Sequence, residues 1–170
     1  MLHRAQSAIL SRMNLSSIPF TSPVGKLLRL PLRVLPKRAV VPVLQGELRG
    51  TMWIVGSSTH GCWLGTYEHE NQHLFASLVP ANGTVYDIGA NVGFYTLLAA
   101  SRAKRVIAVE PLAENVAYVK QHLDLNGVCH VGVWPAAVAD KEGEEPFAAA
   151  GDRSQGKLGG GGPHGSHGHA

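Results

Sequence analysis

Thr84-Val-Tyr-Asp-Ile-Gly-Ala-Asn-Val-Gly-Phe-Tyr-Thr96, followed by Arg105-Val-Ile-Ala-Val-Glu-Pro111, is the stretch that decides the fold. Thr84–Ile88 is a short apolar run that carries Asp87 near its end and then breaks into glycines. Residues 93–103 have the composition of a helix packed on a sheet. Arg105–Glu110 reads as a second strand, Val-Ile-Ala-Val closed by an acid. Leu112–Leu125 reads as a helix with Leu112, Val116, Val119 and Leu123 on one face, stopped by Asn126-Gly127. His130–Trp134 is a third strand. Strands alternating with helices of this length predict βαβ units and a parallel sheet. Right-handed crossovers put the loops after the first two strands along one sheet edge. Ligands of such sheets bind at that carboxyl edge.

The first loop, Asp87-Ile-Gly-Ala-Asn-Val-Gly93, selects among nucleotide cofactors. Gly89 and Gly93 permit a tight turn and close approach of a ligand to the backbone. A dinucleotide fingerprint needs G-x-G-x-x-G. Asn91 and Phe94 stand where its second and third glycines belong. A carboxylate at the strand tip repels a pyrophosphate and attracts an ammonium or a sulfonium. S-adenosyl-L-methionine carries both cations and no phosphate. Glu110 ends the next strand beside this loop, where a carboxylate can accept hydrogen bonds from ribose hydroxyls. The competing reading is a Rossmann-like sheet whose acids merely cap helices.

Upstream, residues 67–79 read as a helix with Tyr67, Leu74, Phe75 and Leu78 on an apolar face, ended by Pro80-Ala-Asn-Gly83. This helix contains His69-Glu-Asn-Gln-His73, which matches H-E-x-x-H, the zinc peptidase signature. Glu110 is the one third ligand available to it, and the cofactor reading uses that residue. We therefore expect a solvated helix face and no metal. Val40–Leu44 and Thr51–Val55 read as short strands. Leu28–Val34 alternates apolar and basic residues and reads as an extended edge segment broken by Pro31. His60, Trp63 and Tyr67 are candidates for a cavity entrance, with packed or surface positions as the plainer expectation.

Composition sets the outer limits. The chain has 170 residues, of which 45% are hydrophobic and 16% charged. That excludes charge-driven disorder. Neither cysteine count nor apolar run length supports a disulfide scaffold or a membrane span. Cys62 and Cys129 could form one pair or remain two thiols. The net charge of +3 is unevenly spread. Residues 1–46 hold seven of the basic residues and no acid, leaving eight basic against twelve acidic residues beyond them, a net of −4. A nucleic-acid binder gathers positive charge on its folded surface, so no nucleic-acid partner is expected. The expected organisation is a basic leader with edge segments over 1–46, a cofactor-binding region over 47–150, and a flexible Gly/His-rich tail over 151–170. Residues 1–22 resemble a transit peptide in composition, and a poorly ordered terminus is the simpler reading. Without a secretory signal, the expected location is the cytoplasm.

The run Val85–Thr96 with Val106–Pro111 resembles the FkbM-type methyltransferases. The resemblance reaches upstream to Trp63-Leu-Gly-Thr-Tyr-Glu68 and downstream through Asn115, Leu125-Asn-Gly127 and Ala136-Ala-Val-Ala-Asp140. It implies a Rossmann-like class I methyltransferase sheet, S-adenosylmethionine as cofactor, and methyl transfer to a hydroxyl of a small molecule or glycan. By that resemblance Asp87, Gly89, Asn91 and Gly93 line the methionine and ribose side, Glu110 holds the ribose, and Ala137 lies near the adenine. The strand ending in an Ile-Asp-Val-Glu-Gly-like motif, expected next in that family, is absent from residues 141–170. The fold is therefore expected to be truncated after its third core strand, with no catalytic residue assigned and activity weak or lost. A non-catalytic fragment is the third reading.

Overall fold

The computed structural model describes Ser22, residues 35–141 and Gly143, together with the backbone of 147–149 and 156–158. The alternating segment expected at Leu28–Val34 lies outside these residues, as do the three tail histidines.

Strands β1 (Val40–Pro42) and β2 (Met52–Ile54) form an antiparallel pair, with Val40 opposite Ile54 and Pro42 opposite Met52. The expected boundary at 46/47 thus falls inside a hairpin. Helix α1 (His60–Leu64) ends on Gly65 in the left-handed region, φ 76°. A side chain there would strike the Gln45 carbonyl. Helix α2 (His69–Leu78) follows.

The parallel sheet comes next. Strands β3 (Thr84–Ile88), β4 (Arg105–Val109) and β5 (Val131–Trp134) lie in the order β3-β4-β5, in agreement with the sequence. Helix α3 (Phe94–Ala100) connects the first two, and α4 (Ala113–Leu125) the second two. Register sets Val85 beside Val106 and Val106 beside Val131 on one face. Both helices pack there, and Val106, Ala108, Leu98 and Val119 are fully buried. Strands β6 (Phe147–Ala149) and β7 (Gly156–Leu158) form an antiparallel hairpin. That hairpin crosses the expected 150/151 boundary.

Two details correct the sequence reading. Leu74 and Leu78 are 61% and 71% exposed, so they are not the inner face of α2. That face centres on Gln72 and Ala76. The Gln72 amide explains the inversion. It donates to the carbonyls of Gly65 (3.4 Å) and Tyr67 (2.5 Å) and accepts from the Glu47 N–H (3.2 Å). A buried amide that closes three backbone groups outcompetes apolar burial at this position. The second detail is His122, which the apolar face of α4 concealed. It is fully buried and stacks on Trp53 with ring centroids 4.0 Å apart. Its Nε2 accepts from the Ile54 N–H (3.2 Å), so Nδ1 carries the proton and donates to the Val92 carbonyl (2.8 Å). Asn126, expected only as a helix stop, bonds both the N–H and the carbonyl of Met52 (2.7 and 2.9 Å). The hairpin is therefore tied to α4, and through His122 to the loop after β3. Both cysteines are free thiols, Cys62 buried and Cys129 exposed.

Candidate functional site

A cavity of about 410 Å³ opens at the carboxyl end of β3 and β4. This lies within the ~300–1,000 Å³ typical of small-molecule sites. Asp87, Gly89, Asn91, Glu110 and Ala137 all line it. The parallel register brings the loops after both strands to one edge, as the crossover rule requires.

Gly93 departs from expectation. It sits at φ 93° as the cap of α3, and a Cβ there would meet Val119 Cγ2 at 3.3 Å. It lets α3 and α4 approach and does not line the cavity. Gly89 has the opposite character. Its φ of 80° favours glycine, yet a Cβ would meet nothing within 4 Å. The turn needs glycine at both positions, but only Gly89 borders open space.

The loop N–H groups are already bonded. Gly89 and Ala90 both donate to the Val109 carbonyl (2.9 and 3.1 Å), and Gly93 donates to Ala90 (2.8 Å). Asn91, in the left-handed region at φ 49°, donates to Glu110 Oε2 (2.9 Å). A phosphate cradle requires free backbone N–H groups. Four of this loop's donors are spent within the protein, so the turn is not built as a pyrophosphate nest.

Glu110 is 5% exposed. Besides Asn91, it accepts from the Leu112 N–H (3.0 Å) and from Asn115 Nδ2 (3.1 Å) through Oε1. A carboxylate offers about four lone-pair sites. Three internal donors leave capacity for about one more, not the pair of ribose hydroxyls the sequence suggested. The helix-capping reading is thus partly right, because Glu110 secures the start of α4 as well as the loop. Asp87 accepts from Thr96 Oγ1 (2.5 Å), a partner one turn into α3 that the sequence reading missed. Burial raises the Asp87 pKa, the Thr96 bond offsets part of that, and the Glu110 charge adds to the rise. The two acids therefore hold an unfavourable concentration of negative charge. No Lys, Arg or His is among the described residues that line the cavity. A cationic ligand would relieve that charge.

The other wall comes from the segment before α2 and from the start of α3. Ser58, Cys62, Tyr67 and Tyr95 line it. Of the expected entrance residues, Tyr67 is present, while Trp63 is packed in the core with His60 against its ring (5.7 Å). Tyr95 Oη donates to Glu68 Oε2 (2.7 Å). Ser58 and Cys62 carry no motif signal, Tyr95 stands in the glycine-loop run, and only tertiary packing brings the three into one wall.

His73 of the H-E-x-x-H run takes part in an ion pair. His73 Nδ1 pairs with Glu47 Oε1 (2.6 Å), and Arg102 pairs with the other carboxylate oxygen. Among the described residues, no group of three side chains is arranged to hold a metal ion. No described helix is long and apolar enough to cross a membrane.

No family model matches the chain. A curated relative, the AMB antimetabolite synthetase AmbE of Pseudomonas aeruginosa, is 32% identical over 105 residues, covering 54% of this chain. The chain spans 5% of that protein. An rRNA methylase from Streptococcus thermophilus overlays with a TM-score of 0.39 at 19% identity, covering 41% of this chain and 42% of that one. TYW2 from M. jannaschii, solved in complex with AdoMet, overlays at 0.40 with 22% identity, covering 51% and 38% respectively. The chain therefore spans less than half the length of each of these solved structures.

Proposed function

We propose that the cavity binds S-adenosyl-L-methionine and that the chain is the cofactor-binding part of an S-adenosylmethionine-dependent methyltransferase of FkbM type. The observation that carries this reading is the pairing of two acids with a glycine turn whose N–H groups are already used. That arrangement disfavours phosphate and favours a cationic, phosphate-free nucleoside. Glu110 would take one ribose hydroxyl with its remaining capacity. Ala137 and its neighbours would cover the adenine. Asp87 would face the charged methionine end beside Gly89 and Asn91. Gly93 would act indirectly, by fixing the turn. When bound, the cofactor supplies an electrophilic methyl group on a sulfonium centre. The chain's own work is then positioning, since holding reactants in line supplies much of the barrier reduction.

The acceptor we favour is a hydroxyl of a small molecule. Nucleic-acid recognition rests on Lys and Arg contacts to phosphate. Arg102, Lys104 and Arg105 stand at the start of β4, the end opposite the cavity. AmbE, by its name a synthetase of an antimetabolite, agrees with a small acceptor.

Isothermal titration of the 170-residue chain with S-adenosylhomocysteine tests the cofactor assignment. Micromolar binding, weakened at least tenfold by Asp87→Ala, is the expected result. Absence of binding to a cooperatively melting chain would exclude it. A methyltransferase assay with S-adenosylmethionine then separates an active chain from a non-catalytic fragment.

A further inference from the structure

We propose, resting on the cofactor reading above, that Thr96 is a positioning residue: its hydroxyl holds the Asp87 carboxylate ready for a cationic ligand and sets the acid limit of binding. The two acids of the cavity are held in unlike ways. Glu110 accepts from Asn91, Leu112 and Asn115. Asp87 has one hydrogen-bond donor among the described residues, Thr96 Oγ1, 2.5 Å from Oδ2. Its other oxygen is left to the cavity that Asp87 lines. Thr96 itself is fully buried on α3. A helical threonine commonly returns its hydroxyl to the carbonyl four residues before it. That carbonyl belongs to Val92 and takes the His122 Nδ1 proton (2.8 Å), while the Thr96 hydroxyl reaches across to β3. A valine of the same shape would fill this place in the core. The hydroxyl therefore serves Asp87 and not the packing.

Three influences act on the charge of Asp87. Burial is the largest and disfavours the carboxylate, the Thr96 bond favours it, and the Glu110 charge disfavours it again. No cationic side chain among the described residues lines the cavity. Thr96 is thus the counterweight on which the free chain relies. Without it, Asp87 takes up a proton closer to neutrality and loses the charge that attracts a cation. The other titratable groups around Asp87 stay constant between pH 5 and 8. Cys62 and Tyr95 are pushed up chiefly by burial, and Tyr67 is pushed up to about 12 by the same cause. His122, beneath the loop, is pushed down to about 4 by burial. The sign follows. Binding of a cation is complete where Asp87 is ionised and weakens as pH falls through its pKa, so loss of Thr96 starts the weakening at higher pH.

Calorimetry from pH 5 to 8 on the full chain, Thr96→Val and Thr96→Ser tests this with two probes. S-adenosylhomocysteine carries an ammonium, and 5′-methylthioadenosine has the same nucleoside without it. In the wild type, S-adenosylhomocysteine affinity is expected to fall as pH drops, and Asp87→Asn is expected to remove that fall. Thr96→Val should move the fall upward by about one pH unit, and Thr96→Ser should restore the wild-type profile. Methylthioadenosine should bind all three proteins within twofold of one another at every pH. A flat wild-type profile overturns the inference, as does an unmoved profile in Thr96→Val. Equal loss of both probes at every pH also overturns it, leaving Thr96 a packing residue. In these cases the cofactor reading stands, because the wild type still binds. Failure of both probes to bind the wild type removes the cofactor reading, and the role of Thr96 with it. Should Thr96→Val not melt cooperatively, Thr96→Cys replaces it. Its thiol is a weak donor, so an upward shift is again expected, and a profile that coincides with the wild type overturns the inference.

Discussion

Replacing Glu110 by Gln removes one charge at almost constant volume, and its consequences can be worked from the three bonds at this residue. Oε1 accepts from Leu112 N–H and Asn115 Nδ2, and Oε2 accepts from Asn91 N–H. A glutamine has one oxygen. Turned to keep the two bonds at Oε1, it presents an amide NH₂ to the Asn91 N–H. Turned the other way, it leaves two donors facing a donor. The first choice costs less. Hydrogen bonds to charged groups contribute about 1.5–3 kcal/mol, against about 1 for neutral pairs, and an unpaired buried donor costs about 1–3. Relief of the repulsion between Asp87 and Glu110 offsets part of this. The net expectation is a loss of about 2–3 kcal/mol. Urea unfolding followed by tryptophan fluorescence should show a lower midpoint at unchanged slope. For a slope of about 1–2 kcal/mol/M, the midpoint moves by about 1–3 M. S-adenosylhomocysteine binding should fall with it, since the loop carrying Asn91 is no longer fixed. A midpoint within about 0.2 M of the wild type, equivalent to under 0.5 kcal/mol, would refute the claim that Glu110 organises the loop.

Asp87→Asn should separate stability from binding. It keeps the oxygen that accepts from Thr96 and removes a charge that burial disfavours, so the melting temperature of the free chain should hold or rise while S-adenosylhomocysteine affinity drops at least tenfold. Gly93→Ala should destabilise by about 1–3 kcal/mol, from left-handed strain plus the contact with Val119. Gly89→Ala carries the strain alone, so it should cost less stability and lose more of the ligand affinity, as paired melts and titrations would show. His122 is held neutral, its pKa pushed down to about 4 from 6.5 chiefly by burial. The unfolded chain binds that proton more readily, so this stability is complete above pH 6.5 and is lost as pH falls towards 4. Denaturant midpoints measured from pH 7 to 4 should fall more steeply for the wild type than for His122→Phe, and parallel curves would count against it.

Much of the sheet was legible because local and global signals agree there. Val-Ile-Ala-Val at 106–109 is buried by helices on one face, and it reads as a near-continuous apolar run, as parallel strands do. Asp87 and Glu110 could be placed beside each other from the sequence because each stands at or near the end of a parallel strand, and both line the cavity. What the acids touch was not legible. Thr96 lies nine residues from Asp87, and Asn115 lies five from Glu110 on a helix face that looked like ordinary core. The inner face of α2 was misread because hydrophobic periodicity assigns no weight to Gln72. Its value comes from backbone groups of the 45–47 turn and of the 65–67 segment, which approach it only after folding. The meeting of Ser58 and Cys62 with Tyr95 in one wall escaped for the same reason. Packing gathers it from a loop and two helices, and no spacing rule connects them.

His73 of the H-E-x-x-H run pairs with Glu47, and that pair bears on the site as a whole. His73 stands on α2 close to Glu47, and Arg102 shares that carboxylate, so the histidine serves as a surface clamp between the hairpin loop, α2 and the end of α3. Such an exposed pair contributes little stability, but it joins the hairpin loop and α2 to α3, which carries Tyr95. His122 does the corresponding work from beneath, linking β2 and α4 to the Val92 carbonyl. The loop after β3 is thus held from three directions: by the Val109 carbonyl, by Glu110 and by His122. A loop whose N–H groups are committed inward cannot discriminate ligands by donating hydrogen bonds. Selectivity must come from charge and shape instead. The cavity's charge is that of Asp87 and Glu110, and Tyr67, Phe94 and Tyr95 form part of its wall. Both properties argue for a ligand that brings its own positive charge.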